Sequence, residues 1–216
     1  VAWKLDPRKI EWLDEARDRS LGLDDAADLV DGLIDAISRE EVDELLDRAS
    51  DEPEPEEVED WKQGFWGLLK SLYLSLALIA AAGDLTGEDL DGVQALLLVQ
   101  LSYLDRFAQG FAAGEISKAE AGRRMRMYVN SARSAFWTVL DRQMKDAGYT
   151  EERWIAIGDD RTCGPCAGAD AMGWQPIGTF AEPGSGYVLR DPTTECDGLT
   201  HCRCRKAYRR GAGGLP

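Results

Sequence analysis

WKQGFWGLLKSLYLSLALIAAA, residues 61–82, is the most hydrophobic stretch of this chain, and its reading decides between a membrane-spanning protein and a helical globular one. A bilayer requires about 18–20 consecutive apolar residues. Lys62, Gln63, Lys70, Ser71 and Ser75 interrupt the segment, and its unbroken apolar runs fall well short of that length. The segment therefore predicts a buried core helix and no membrane partner.

The flanking sequence says what that helix packs against. Downstream, an apolar face runs from Thr86 through Leu90, Val93, Leu97, Leu101 and Leu104 toward Phe111, with Gly114 placed as a C-terminal stop. Ser117 and Glu120 have capping-box spacing and open a further helix through Met125, Tyr128, Ala132, Phe136, Val139 and Met144 to Gly148. Three long helices of this kind pack as an antiparallel bundle. Phe65, Trp66, Tyr103, Phe107, Phe136 and Trp137 are read as its core aromatics.

Upstream, Asp51 to Asp60 is nearly all Asp, Glu and Pro, and like charges with prolines resist packing, so residues 51–57 predict a solvated linker. Before it, Asp6-Pro7 offers an N-cap followed by proline for a helix carrying Ile10, Leu13 and Ala16. From Asp24, the residues Ala27, Val30, Ile34 and Ile37 recur at helical spacing, and Ser38 with Glu41 predicts a capping box for a helix through Val42, Leu45 and Leu46. The resulting division is short helices over 1–50, the linker over 51–57 and a long-helix bundle over 58–149.

After Gly148 the period changes. Arg153 to Ile157, Trp174 to Ile177 and Tyr187 to Leu189 read as short extended segments, and residues 202–208 as a final turn and strand. Residues 150–216 therefore predict a small α+β or β-rich module on a mainly α-helical body. This module holds all five cysteines and the only histidine. Cys163-Gly164-Pro165-Cys166 is followed by Cys196, His201, Cys202 and Cys204. Two pairs of soft donors brought from distant turns are the pattern of a tetrahedral zinc site. The expected ligands are Cys163, Cys166, Cys202 and Cys204, with Cys196 or His201 as alternatives.

Disulfide bonding competes with this reading, but five cysteines cannot all pair within one chain. Redox chemistry competes too, because Cys-Gly-Pro-Cys is the tetrapeptide of thioredoxin-like oxidoreductases. There the motif opens a helix inside a βαβ unit, whereas here residues 167–192 are rich in Gly and Pro and show no helical period. Few aliphatic residues stand beyond position 150, and a module that small seldom folds without a staple. Structural zinc supplies on the order of 10–16 kcal/mol of apparent binding energy. A catalytic zinc lacks its usual signatures, since the chain has no His-x-Glu and no His-Glu-x-x-His. No enzymatic activity is expected.

The net charge is −15, which disfavours free binding to nucleic acid over most of the surface. The C-terminal end is basic through Arg203, Arg205, Lys206, Arg209 and Arg210, and these five residues are the expected contact to DNA or to an acidic partner.

The sequence DDRTCGPCAGADAMGWQPIG (159–178), a Gly- and Pro-rich span and HCRCRK (201–206), following a helical region, resemble the phage Mu F-like minor head proteins, the phage head morphogenesis family. The resemblance is carried by Asp160, Arg161, Thr162, Cys163, Cys166, Trp174, Ile177 and Cys202-Arg203-Cys204, within residues 154–208. The family pattern places a histidine a few residues before Cys-Arg-Cys. Here Cys196 or the displaced His201 takes that role. The resemblance implies a minor structural protein of a tailed-virus head, located in the virion at the portal vertex or inner capsid surface and assembled in the host cytoplasm. Its implied partners are portal or major capsid protein and packaged DNA, and a homo-oligomer is compatible with it. A dithiol oxidoreductase and a nucleic-acid-binding zinc module are the alternatives.

Overall fold

A computed structural model describes residues 23–50, 53–160, 162–190, 194–197 and 202–211. The helix expected around Ile10 and Leu13 lies outside these residues. Six helices come first: α1 (Leu23–Arg39), α2 (Glu41–Arg48), α3 (Pro55–Ala80), α4 (Gly87–Ala112), α5 (Lys118–Ser131) and α6 (Arg133–Asp146). β1 (Glu151–Ile155), α7 (Gly164–Ala171), β2 (Trp174–Pro176) and β3 (Arg205–Arg209) follow. The protein is mainly helical with one small sheet.

The axis of the body is α3. Phe65, Leu69, Leu72, Tyr73, Leu76 and Ala77 are fully buried, and Trp61 packs against Phe65, Phe107 and Phe111. By length and composition Glu56–Ala80 could cross a membrane, but its apolar side chains are used here against α4 and α6. Tyr73 on this helix meets Ser131 Oγ of α5 at 2.9 Å, and Ser75 donates to the Ser71 carbonyl one turn back at 2.8 Å.

Three local expectations are corrected. The acidic run is not linker throughout, because α3 begins at Pro55. The Glu57 carboxylate accepts the Glu54 N–H at 3.0 Å and the Ser50 hydroxyl at 3.0 Å, and negative charge suits a helix N-terminus. The Ser38–Glu41 capping box does not form. Backbone bonding continues through Glu40, whose N–H reaches the Ala36 carbonyl at 2.9 Å, so Ser38 stays inside α1. The third long helix is divided at Ala132 into α5 and α6. There Ser131 and Ser134 each donate to a carbonyl three residues back, at 2.7 Å, an interaction that bends helices.

The remaining ends follow their sequence signals. Thr86 and Asp89 cap α4 reciprocally. Ser117 accepts the Glu120 N–H, while the Glu120 carboxylate turns to Arg123 and Arg124 instead of completing a box. Gly114 follows α4 with φ 69°. α1 and α2 are not separate from the bundle: Val30, Ile34, Ile37 and Val42 share one apolar core with α3 to α6.

The sheet has the order β2-β1-β3, antiparallel throughout. Strand alternation turns Glu152 and Trp154 of β1 inward and leaves Arg153 and Ile155 exposed. Register sets Glu152 opposite Tyr208 and Trp154 opposite Lys206. A second, smaller core forms here from Trp154, Ala169, Phe180, Val188 and four cysteines. Half of that core is thiol, so its aliphatic content alone is thin support for the module.

Candidate metal centre

Each cysteine reaches the centre by a different local device. After β1 the chain turns at Gly158, φ 78°, and Thr162 Oγ1 accepts the Gly158 N–H at 2.9 Å. This turn delivers Cys163 to the position just before α7, in extended conformation, with proline in the first turn that follows. One turn of α7 then carries Cys166 into the core. Cys196 comes from a loop closed by bridges pairing Phe180 with Leu189 and Tyr187 with Glu195, and its own N–H is held by the Gly186 carbonyl at 2.9 Å. Cys202 and Cys204 alternate with Arg203 on extended chain, so both sulfurs face inward while Arg203 faces out.

The five thiols are free and gather around Cys166. Its Sγ lies 3.5 Å from that of Cys196 and 3.8 Å from that of Cys202, and Cys163 lies 3.8 Å from Cys196. Cys163, Cys166 and Cys196 fall within 4.8 Å of one another, as do Cys166, Cys202 and Cys204. A tetrahedron with Zn–S bonds of about 2.3 Å has S···S edges of about 3.8 Å. The donor set and its spacing thus fit a thiolate-bound metal ion. Of the expected ligands, Cys166 lies within reach of Cys163 on one side and of Cys202 and Cys204 on the other, and Cys196 joins Cys163 and Cys166. His201 lies outside the described residues.

Hydrogen bonding within the cluster divides its protons unevenly. Bonds from Cys166 and Cys202 pull Cys204 down to about 4, against the opposing effect of burial. Those from Cys166 and Cys196 lower Cys202, while Cys166 is pushed up through its bonds to Cys196, Cys202 and Cys204. These hydrogen bonds favour the thiolate form at Cys202 and Cys204, which is the form a metal takes. A cavity of about 390 Å³ lined by Asp35, Asn130, Thr162 and Arg203 opens beside the sulfurs.

The centre is fixed to the helical body. Arg133, buried at the start of α6, donates to the Cys202 carbonyl at 2.8 Å and pairs with Asp31 at 2.7 Å. Arg205 pairs with Asp28 of α1. Sequence reading missed Arg133, although a charged residue opening an apolar helical segment was the available signal.

The basic residues are engaged within the chain. Arg203 pairs with Asp159 at 2.7 Å, Arg209 pairs with Glu151 and lies 4.5 Å from the Trp174 ring centroid, and Arg210 donates to the Ala147 carbonyl at 3.0 Å. The reading of Lys206 as a DNA or partner contact is corrected. Its ammonium is fully buried, 2.8 Å from Asp141 and 2.9 Å from Glu152, because β3 alternation turns it into the core. The motif Cys-Gly-Pro-Cys also departs from expectation, since it opens an eight-residue helix despite the Gly and Pro that follow. The surrounding sheet is antiparallel, however, with no βαβ crossover.

No family model, curated protein or solved structure matches the chain.

Proposed function

We propose that this chain is a minor structural protein of a tailed-virus head, acting in head morphogenesis at the portal or the inner capsid surface, with a C-terminal module stapled by one zinc ion. The observation that carries the reading is the convergence of the thiols at zinc-like spacing, within the segment whose motifs resemble the head morphogenesis family. Four sulfurs from Cys163, Cys166, Cys196, Cys202 and Cys204 hold the ion, and bound zinc supplies cross-linking energy to a core that is half thiol. The role is structural, with no catalytic group assigned. The acidic body turns to protein partners such as portal or capsid protein, because its charge repels packaged DNA. Arg203, Arg205, Arg209 and Arg210 offer at most a secondary contact, since each already has a partner inside the chain.

Two measurements test this. Elemental analysis of the purified chain should give one zinc per chain, with thiols that react only after chelation. Purified particles should contain the protein, and it should co-purify with portal or capsid protein. A metal-free folded module that turns over disulfide substrates would replace this reading with the dithiol one, and absence from particles would remove the virion assignment.

A further inference from the structure

α4 carries an apolar strip that none of the described residues covers. Leu98 and Val99 are 57 and 50 % exposed, while Leu90 and Tyr103, 46 and 49 % exposed, stand on the two flanks of the helix. Leu98 and Val99 stand with exposed Ala95 and Ser102 on the two central turns of the helix. Contiguous exposed apolar surface of this kind marks an interaction site.

The charges at the two ends of the face identify the occupant. Glu88 lies in the first turn and Arg106 near the last. They are 18 residues apart, so at 3.6 residues per turn they occupy the same edge of the helix, about five turns and about 27 Å from each other. Neither makes an ion pair within the described residues; Arg106 donates to the Ser102 carbonyl at 3.4 Å and lies 5.0 Å over the Tyr103 ring, and Glu88 acts on Arg142 only through the longer-range field. A two-fold axis beside Leu97 superposes this pattern on its own complement. Each Glu88 then meets the partner's Arg106, each Val99 lies opposite the partner's Ala95, and Leu98 of both copies flanks the axis. Parallel pairing would set Glu88 against Glu88.

We infer that α4 is a homotypic docking face through which two copies of this chain associate antiparallel, sealed at both ends by Glu88–Arg106 pairs. An isologous contact repeats each pair twice, which is why a single edge of the helix suffices. One helix pair makes a small interface, so the dimer is reversible and its population depends on concentration.

Sedimentation velocity over a concentration series reads the outcome, with circular dichroism to confirm that each variant is folded. Leu98→Asp, at an exposed position, should leave a monomer. Glu88→Arg and Arg106→Glu should each weaken the dimer about tenfold or more, because each breaks both pairs. The double variant Glu88→Arg/Arg106→Glu should return to within about threefold of the parent, since the swapped charges still meet. A parent chain that stays monomeric at the highest concentration overturns the inference. So does a folded double variant that remains as weak as the single ones, or a dimer indifferent to Leu98→Asp.

Discussion

Lys206→Met removes the fully buried cation from the most enclosed ionic group at the junction of the helical body and the C-terminal module. The lysine ammonium contacts Asp141 of α6 and Glu152 of β1, and all three side chains are almost completely buried. Asp141 keeps the Tyr208 hydroxyl and Arg190, and Glu152 keeps the Gly178 and Phe180 N–H groups, each at 2.8 Å. Even so, two carboxylates would face each other without their shared counter-charge. Breaking a buried pair on one side costs about 3–5 kcal/mol, which for a chain of this size is about 6–20 °C in Tm. Urea denaturation at neutral pH should show this loss, and Lys206→Met with Glu152→Gln should lose less than the sum of the two single changes, because the residues are in contact. A loss below about 1 kcal/mol would refute the reasoning and return Lys206 to the surface.

Further outcomes follow from other parts of the molecule. Removing metal with a strong chelator should unfold the C-terminal module and leave most of the far-UV helical signal, since α1 to α6 have their own continuous core; complete loss of helix would contradict the two-part build. Arg133→Met should weaken zinc binding about 10–100-fold in a competition titration with a chromophoric chelator, the usual effect of removing a group that orients a ligand, and unchanged affinity would sever the link between α6 and the centre. Ala82, at φ 48° after α3, is strained for an L-residue, so Ala82→Gly should raise stability by about 0.5–1 kcal/mol, or about 1–4 °C in Tm. Burial would raise the pKa of Asp89, but the Arg142 and Thr86 hydrogen bonds outweigh it and hold it below the ordinary 3.8. The stability this carboxylate contributes is therefore present above that value and lost as pH falls through the folded one. Asp89→Asn should cost about 1–3 kcal/mol at pH 7, with the gap to the parent closing in urea titrations below about pH 4.

Much of the body was legible because helices write their period and their caps into local sequence. Leu72 and Leu76 repeat within α3, Thr86 and Asp89 start α4, and Gly114 follows its end. What failed was set by neighbours. Ser38 has the spacing of a cap but sits where the backbone never leaves the helix. The division at Ala132 depends on two serines reaching back to carbonyls, which the apolar period does not reveal. In the site, Cys-x2-Cys and Cys-x-Cys were readable as donor pairs, while the place of Cys196 was left open because loop closure through Tyr187 and Glu195 decides it. Lys206 shows the limit most clearly. Within Arg-Lys-Ala-Tyr-Arg-Arg it looks like one charge of a basic tail, and only the pairing of β3 with β1 assigns it to the inner face.

That assignment bears on how the two parts of the protein work as one. The body presents three anchors to the module: Asp31 with Arg133, Asp28 with Arg205, and Asp141 with Lys206. Two of them lie within the segment that supplies Cys202 and Cys204, and Arg133 grips the Cys202 carbonyl directly. The C-terminal cysteines are thus positioned by the helices, whereas Cys163, Cys166 and Cys196 are positioned by the module's own turn, helix and loop. A metal bound across the two sets closes the module onto the body as well as onto itself. Arg205 and Lys206, which read as part of a tail for DNA, thus fasten the bundle to the cysteine cluster. Among the described residues, the exposed large hydrophobics of the helical body all lie on α4, away from this fastening.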